Sequence, residues 1–280
     1  MKQLCRVLAF LFLLCLLCSC RAEPPVRFSA LFLDVGQGNA ALLRTPQGDI
    51  LVDCGPEASQ ESLCRKLKAN GVKTLQCLIL THPDEDHIGG ADVILEQFAV
   101  KHLLYNGATE KSESFSRLLE SAKKKKIEPV AVRAGDASRL GELQLSFYYP
   151  VSDPASGNQG SLIFRAQYQS QSVLFMGDAE EAAEKQLLSN LTADQLSATV
   201  LLAGHHGSAT SCSPEFLQAV NPQIAVISCG AGNRYGHPDG RVLARLQNLG
   251  TTVYRTDLNG DLLFQWNGES LSVKTEKEGK

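Results

Sequence analysis

The chain has 280 residues, 44% of them hydrophobic and 20% charged, a globular composition that excludes wholesale disorder. Its 23 glycines and 11 prolines are too few and too scattered for a fibrous or low-complexity protein. With 27 Lys and Arg against 30 Asp and Glu the formal charge is −3, which excludes a protein that coats nucleic acid by bulk charge but not an enzyme that holds it in a local groove.

Lys2 and Arg6 precede twelve unbroken apolar residues, Val7 to Cys18. A membrane-spanning helix needs about 18–20 such residues, so the run reads as a secretory signal. Leu17-Cys18-Ser19-Cys20 resembles a bacterial lipobox with the cut before Cys20 and lipid on that residue; the alternatives are an uncleaved anchor or a later cut. Residues 1–20 are therefore expected to be a signal peptide of lipoprotein type, and residues 21–280 an extracytoplasmic bacterial domain, membrane-anchored or secreted. Removal of residues 1–19 takes away Lys2 and Arg6 and no acid, moving the charge from −3 to −5. Beyond Cys20 stand Cys54, Cys64, Cys77, Cys212 and Cys229, an odd number with no CxxC pair. They indicate neither a zinc ribbon nor a disulfide framework and are expected as small core residues.

Along the body, apolar runs predict strands at Arg27–Asp34, Ala40–Thr45 and Ile50–Cys54. A Pro- and Gly-containing turn separates the last two. A helix is predicted over Glu57–Asn70, stopped at Gly71, then a buried strand at Leu75–Thr81, a helix at Ala91–Phe98, a strand at His102–Tyr105 and a helix at Ser114–Lys126. Lys123–Lys126 is the strongest charge run, either a phosphate-contacting patch or a solvated helix C-terminus favoured by the dipole. A second series comes next: strands at Leu143–Tyr149, Leu162–Tyr168 and Val173–Met176, a helix at Ala179–Leu188, a strand at Thr199–Ala203, a helix at Pro214–Val220 and a strand at Ile224–Ser228. A helix at Gly240–Leu249 and strands at Thr252–Arg255 and Asp261–Gln265 complete it, with Lys274–Lys280 as a frayed polar tail. Strands succeeded by strand–helix alternation, twice over, imply an α/β fold of two halves packed helix–sheet–sheet–helix in one domain.

The chemistry concentrates in Thr81-His82-Pro83-Asp84-Glu85-Asp86-His87-Ile88-Gly89-Gly90, which follows a buried strand and precedes a helix. Adjacent carboxylates are costly unless a cation sits between them, and imidazole with carboxylate suits zinc, iron or manganese. Three further clusters stand at strand ends: Gly177-Asp178, Gly204-His205-His206-Gly207-Ser208, and Asn233-Arg234-Tyr235-Gly236-His237-Pro238. Taken alone, Gly-Asp is a common turn, one of the paired histidines could be structural, and His237 could be a surface residue.

Taken together these motifs resemble the metallo-β-lactamase superfamily, and within it the extracytoplasmic hydrolase domain of ComEC-type DNA-uptake proteins. Leu31-Phe32-Leu33-Asp34-Val35-Gly36-Gln37-Gly38-Asn39-Ala40 resembles the family's opening signature and Leu51-Val52-Asp53-Cys54-Gly55 its early Asp motif. Thr81–Gly90 is similar to its metal loop, with Asp84 where most of the superfamily has His. His205-His206-Gly207-Ser208, Tyr235-Gly236-His237-Pro238 and Asp257-Leu258-Asn259-Gly260-Asp261 resemble later motifs. The resemblance spans about residues 28–265 and implies a four-layer αββα sandwich.

It further implies two divalent metal ions, zinc or manganese. One would take His82 and Asp84; the other Asp86, Asp178 and His205 or His87, with Asp178 bridging and Asp53 orienting a ligand histidine. The lone histidine that many members carry between the metal loop and the Gly-Asp motif has no clear counterpart. His102 falls too early, and Asn158-Gln159-Gly160-Ser161 is the corresponding segment, which leaves the His82–Asp84 site short of one protein ligand. The implied activity is a phosphodiesterase or nuclease acting on DNA or related phosphodiesters outside the cytoplasm through a metal-held hydroxide. Asp86 serves that chemistry, His206 or His237 handles a proton or a phosphoryl oxygen, and Ser208 and Arg234 contact phosphate. The alternatives are hydrolysis of a lactone, thioester or β-lactam on the same scaffold, or a lipid-anchored binding protein without catalysis. The sequence points to no protein partner.

Overall fold

The computed structural model describes residues 27–109, 112–152, 157–268 and 270–278. The leader and Cys20 lie outside the described residues, and no helix among the described residues is long and apolar enough to cross a membrane.

The first half gives β1 (Phe28–Phe32), β2 (Ala41–Thr45), β3 (Gly48–Val52), β4 (Thr74–Leu80), β5 (Ala99–Val100), β6 (Leu103–Tyr105) and β7 (Pro129–Ala131). The second gives β8 (Ala137–Leu140), β9 (Leu143–Tyr149), β10 (Ile163–Tyr168), β11 (Gln171–Phe175), β12 (Val200–Leu202), β13 (Ile224–Ile227) and β14 (Thr252–Arg255). The chain then returns to the first sheet with β15 (Leu262–Asn267) and β16 (Ser270–Thr275). Two mixed sheets result, one ordered β16-β15-β1-β2-β3-β4-β6-β7 with β5 beside β4, the other ordered β14-β13-β12-β11-β10-β9-β8.

Alternation along each strand sorts side chains into three cores. In β1, Phe28, Ala30 and Phe32 face the space between the sheets and meet Phe147, Phe164 and Phe175 from the opposite sheet. Phe164 and Phe175 stack there at 4.7 Å and 7°. Leu31 and Leu33 point the other way, under the helices Gln60–Ala69, Ala91–Gln97 and Glu113–Lys125. On the far side, Leu174, Leu201 and Ala225 pack under the helices Glu181–Asn190, Pro214–Val220 and Gly240–Asn248. This is the expected αββα sandwich. The five cysteines of the body are free and buried.

The expected elements recur with ends shifted by a residue or two. The short strands β5, β7 and β8 and the strand β16 have no counterpart among the predictions. The tail expected to fray from Lys274 is instead strand up to Thr275, where Lys274 pairs with Leu263 and Thr275 with Leu262. The cause is alternation: Leu271 and Val273 lie against the core between the sheets while their neighbours face solvent. Backbone bonds from Glu276 to Asp261 and from Lys277 to Asn259 tie down the two residues after the strand.

Parallel pairing fixes where chemistry can collect. β3, β4 and β6 run parallel in one sheet, and β11 to β14 run parallel in the other. Their C-terminal ends therefore open on one edge of the sandwich, the usual place for ligands in such sheets.

Candidate metal centre

Five strand ends supply the site. Asp53 follows β3, the segment Thr81–His87 follows β4, Asp178 follows β11, His205 and His206 follow β12, and Ser228 follows β13. The loop after β4 turns at Pro83 and enters a short helix, Glu85–Ile88, whose N-cap is Asp84. The loop after β1 packs against it. Asn39 N–H donates to Asp86 O at 3.1 Å, and a Cβ on Gly38 would stand 2.3 Å from that same carbonyl, so only glycine permits the approach.

His205 and His206 both adopt left-handed backbone, at φ 47° and 52°. Two consecutive non-glycine residues there are costly and persist only where surrounding structure enforces them. The consequence is a division of labour. His206 turns inward, 2% exposed, with Nδ1 donating to Ser228 O at 2.8 Å and Nε2 3.1 Å from Asp86 Oδ2. His205 remains at the rim, its Nδ1 3.1 Å from Glu180 Oε1 and its ring 3.2 Å from Asn158 Nδ2.

Asp53 organises the back of the site, itself in left-handed backbone at φ 56°. Its Oδ1 accepts from Thr81 N–H at 2.8 Å, and its Oδ2 accepts from the Thr81 hydroxyl and from His87 Nδ1, both at 2.8 Å. With Nδ1 engaged as donor, neutral His87 aims the lone pair of Nε2 forward. That atom lies 3.0 Å from Asp178 Oδ1. Both atoms, together with His82 Nε2, are buried without a hydrogen-bond partner. His206 repeats the arrangement, donating rearwards and presenting Nε2 to carboxylates.

Buried acceptors that face one another require a proton or a cation between them. Burial opposes charge on His87, but Asp178 and Asp53 outweigh it and push its pKa well above the usual value. Burial likewise opposes the charge of Asp178, yet His206, His87 and His82 hold it well below the usual carboxylate range. The donor set of Asp86, His87, Asp178 and His206, with ligand atoms all within 4.8 Å of one another, fits a divalent cation. His82 lies beside His87, ring centroids 4.1 Å apart, with its Nε2 3.9 Å from Asp178 Oδ2 and 3.6 Å from Asp84 Oδ2.

The remaining expected residues stand around this cluster or away from it. His237 lines a pocket of about 190 Å³ together with Gln37, Asp84, Asp86, Asn158, Asp178, His205, His206 and Tyr235. Burial, then the neighbouring His205 and His206, depress its pKa. Arg234 is exposed and lies in a wider adjoining cleft of about 750 Å³. Ser208 is buried, its hydroxyl paired with that of Thr210 at 2.9 Å, and it is not among the described residues lining either space. His206, expected to handle a proton, has both ring nitrogens committed inside the donor cluster. His102 is exposed between β5 and β6. Lys123–Lys126 is an exposed run at the C-terminal end of its helix.

Sequence reasoning did not assign roles to Thr81, Glu180 or Gln37. Glu180 binds the Gln159 amide at 2.8 Å, the Thr210 hydroxyl at 2.8 Å and His205. Gln37 Oε1 accepts from Gly230 N–H at 3.0 Å. The available signal for Gln37 was its position between two glycines in the opening motif.

Residues 33–231 match the metallo-beta-lactamase superfamily. The chain is 34% identical over 256 residues to ComE operon protein 3 of Bacillus subtilis (strain 168), covering 84% of this chain and 32% of that protein. It is 33% identical over 233 residues to competence protein ComA of Neisseria gonorrhoeae, covering 82% and 31% respectively. The chain thus spans about a third of the length of these ComEC-type relatives. The crystal structure of the metallo-beta-lactamase fold protein YhfI from Bacillus subtilis superposes with a TM-score of 0.59 at 12% identity, over 85% of this chain and 100% of that one, a likeness of fold alone. Fold, donor cluster and sequence match agree: the chain belongs to the metallo-beta-lactamase superfamily, as a metallo-hydrolase with a site for divalent metal.

Proposed function

We propose that this protein is a metal-dependent phosphodiesterase that cuts DNA or a related nucleic acid outside the cytoplasm, held at the membrane by a lipid on Cys20. The observation that carries the reading is that one buried carboxylate, Asp178, lies against three imidazoles. Its Oδ1 lies against His87, and its Oδ2 lies 3.5 Å from His206 and 3.9 Å from His82. Such a carboxylate suits the paired cations that stabilise attacking and leaving oxygens in phosphoryl transfer. The similarity to proteins named for competence adds nucleic acid as the substrate class, and the signal-like leader adds the location.

Asp86, His87, Asp178 and His206 would hold one cation, and His82, Asp84 and Asp178 the other. When bound, they supply Lewis acidity to the phosphoryl oxygens and to the attacking water. Asp84 in place of an imidazole makes the second set harder and tilts it from zinc towards manganese. The protein's own groups do the rest. Asp53 and the Ser228 carbonyl fix the tautomers of His87 and His206. His237, whose pKa burial and the neighbouring His205 and His206 depress, offers a ring N–H to a phosphoryl oxygen.

The test uses the chain from Arg21 onwards, stripped of metal and resupplied with zinc or manganese, beside Asp178→Asn. Cleavage of single- and double-stranded DNA and of a chromogenic phosphodiester is expected only with metal and only with Asp178 intact. Stoichiometric metal with no phosphodiester cleavage would sink the proposal and direct attention to lactones, thioesters and β-lactams.

A further inference from the structure

The metal pocket does not end at the metal residues. Gln37, Asp84, Asp86 and Tyr235 line both the small pocket and the 750 Å³ cleft beside it, so the two are one continuous space. Val35, Pro56, Ala58 and Pro83 give the cleft an apolar lining. Its charged groups are Asp84, Glu85 and Asp86 against Arg234. With Asp84 and Asp86 assigned to the cations, the groups left to face a substrate are this apolar wall, Glu85 and Arg234, which suit a flat uncharged group.

Tyr235 supplies the surface for one. It is 55% exposed, an unusual state for a large aromatic ring beside a buried polar centre. Its ring stacks on His237 at 5.8 Å and 17°. The Arg234 guanidinium lies 5.0 Å from its centroid and donates to its hydroxyl at 2.9 Å. Arg234 is itself exposed, so an incoming ring can displace it or extend the ladder. The loop beneath is fixed by Asn233. Its Oδ1 accepts from Tyr235 and His237 N–H at 3.2 and 3.0 Å, and its Nδ2 donates to Gly230 O at 2.9 Å and His237 O at 2.6 Å. At the junction, Gln37 is held by its carbonyl on Gly230 N–H, which leaves its Nε2 as a donor for the group in the cleft.

We propose that this cleft is a subsite for a nucleobase carried next to the scissile phosphate, with Tyr235 as its stacking wall and Gln37 as the amide donor at its entrance. The inference rests on the phosphodiesterase reading and narrows it. A base inside a duplex has both faces occupied by its neighbours, so the subsite selects single-stranded or short substrates.

Two esters with one leaving group test it: thymidine 5′-(p-nitrophenyl phosphate) and methyl p-nitrophenyl phosphate, given to the metal-loaded chain from Arg21. The ratio of their kcat/KM values should favour the thymidine ester by about tenfold or more, within the range of base–aromatic stacking. Tyr235→Ala should collapse that ratio towards one and Tyr235→Phe should restore it, at unchanged metal content. A wild-type ratio near one, or a ratio unmoved in Tyr235→Ala, overturns the subsite and leaves the phosphodiesterase reading standing. If neither ester turns over, the phosphodiesterase reading fails, and equilibrium binding decides the subsite. Thymidine 5′-monophosphate should then bind about tenfold more tightly than methyl phosphate, an advantage lost in Tyr235→Ala; equal binding overturns it.

Discussion

Asp178 is shared by two unequal sets of side chains. On one side Asp86, His87 and His206 converge with it from three loops, and both histidines are tied from behind, by Asp53 and by the Ser228 carbonyl. Beside them His82 is buried, but Asp84 is 37% exposed, and His205, 24% exposed, has its Nε2 3.9 Å from Asp178 Oδ2 and 3.2 Å from Asn158 Nδ2. The first half is preorganised by anchors that pin the tautomer and direction of both histidines. The second has one buried imidazole, one part-exposed carboxylate and the imidazole of His205 at the rim. On the two-cation reading, the first set would hold its cation tightly and the second would hold one weakly, completed by water or substrate.

Substitutions should separate the halves in order of size. Asp178→Asn removes the group common to both, and kcat/KM on a phosphodiester should fall by at least about a thousandfold, ~4 kcal/mol of transition-state stabilisation. Asp53→Asn leaves every ligand in place but loosens His87. Affinity for the first metal, tracked by competition with a chromogenic chelator, should drop about 10- to 100-fold. Asp84→Asn should spare the first metal and weaken only the second, by about tenfold, so activity recovers when metal is raised. Glu180→Gln frees His205 and Gln159 at the rim; a loss of about threefold, within 1 kcal/mol, is expected in kcat/KM with metal content unchanged. If Asp84→Asn emptied both sites, or Asp53→Asn neither, the two halves would not differ as described.

Much of this was legible in the sequence because each ligand closes an apolar run. Leu75–Thr81 announces the metal loop, Val173–Met176 announces Asp178, and Thr199–Ala203 announces the histidine pair. What periodicity cannot express is direction at irregular backbone. Which of His205 and His206 faces inward depends on two successive left-handed residues, and no propensity signals them. The short strands β5, β7 and β8 escape for another reason: β7 and β8 lie at sheet edges, β5 adds two residues beside β4, and all three carry too few alternating residues to show a period.

The most direct measurement is a titration of metal-free protein with manganese and with zinc, read by calorimetry at one pH. Two binding steps per chain are expected, separated by about tenfold or more in affinity, with the weaker step lost in Asp84→Asn and both damaged in Asp178→Asn. A single step, or two steps of equal affinity unaffected by Asp84→Asn, would contradict the unequal two-metal site on which the account depends.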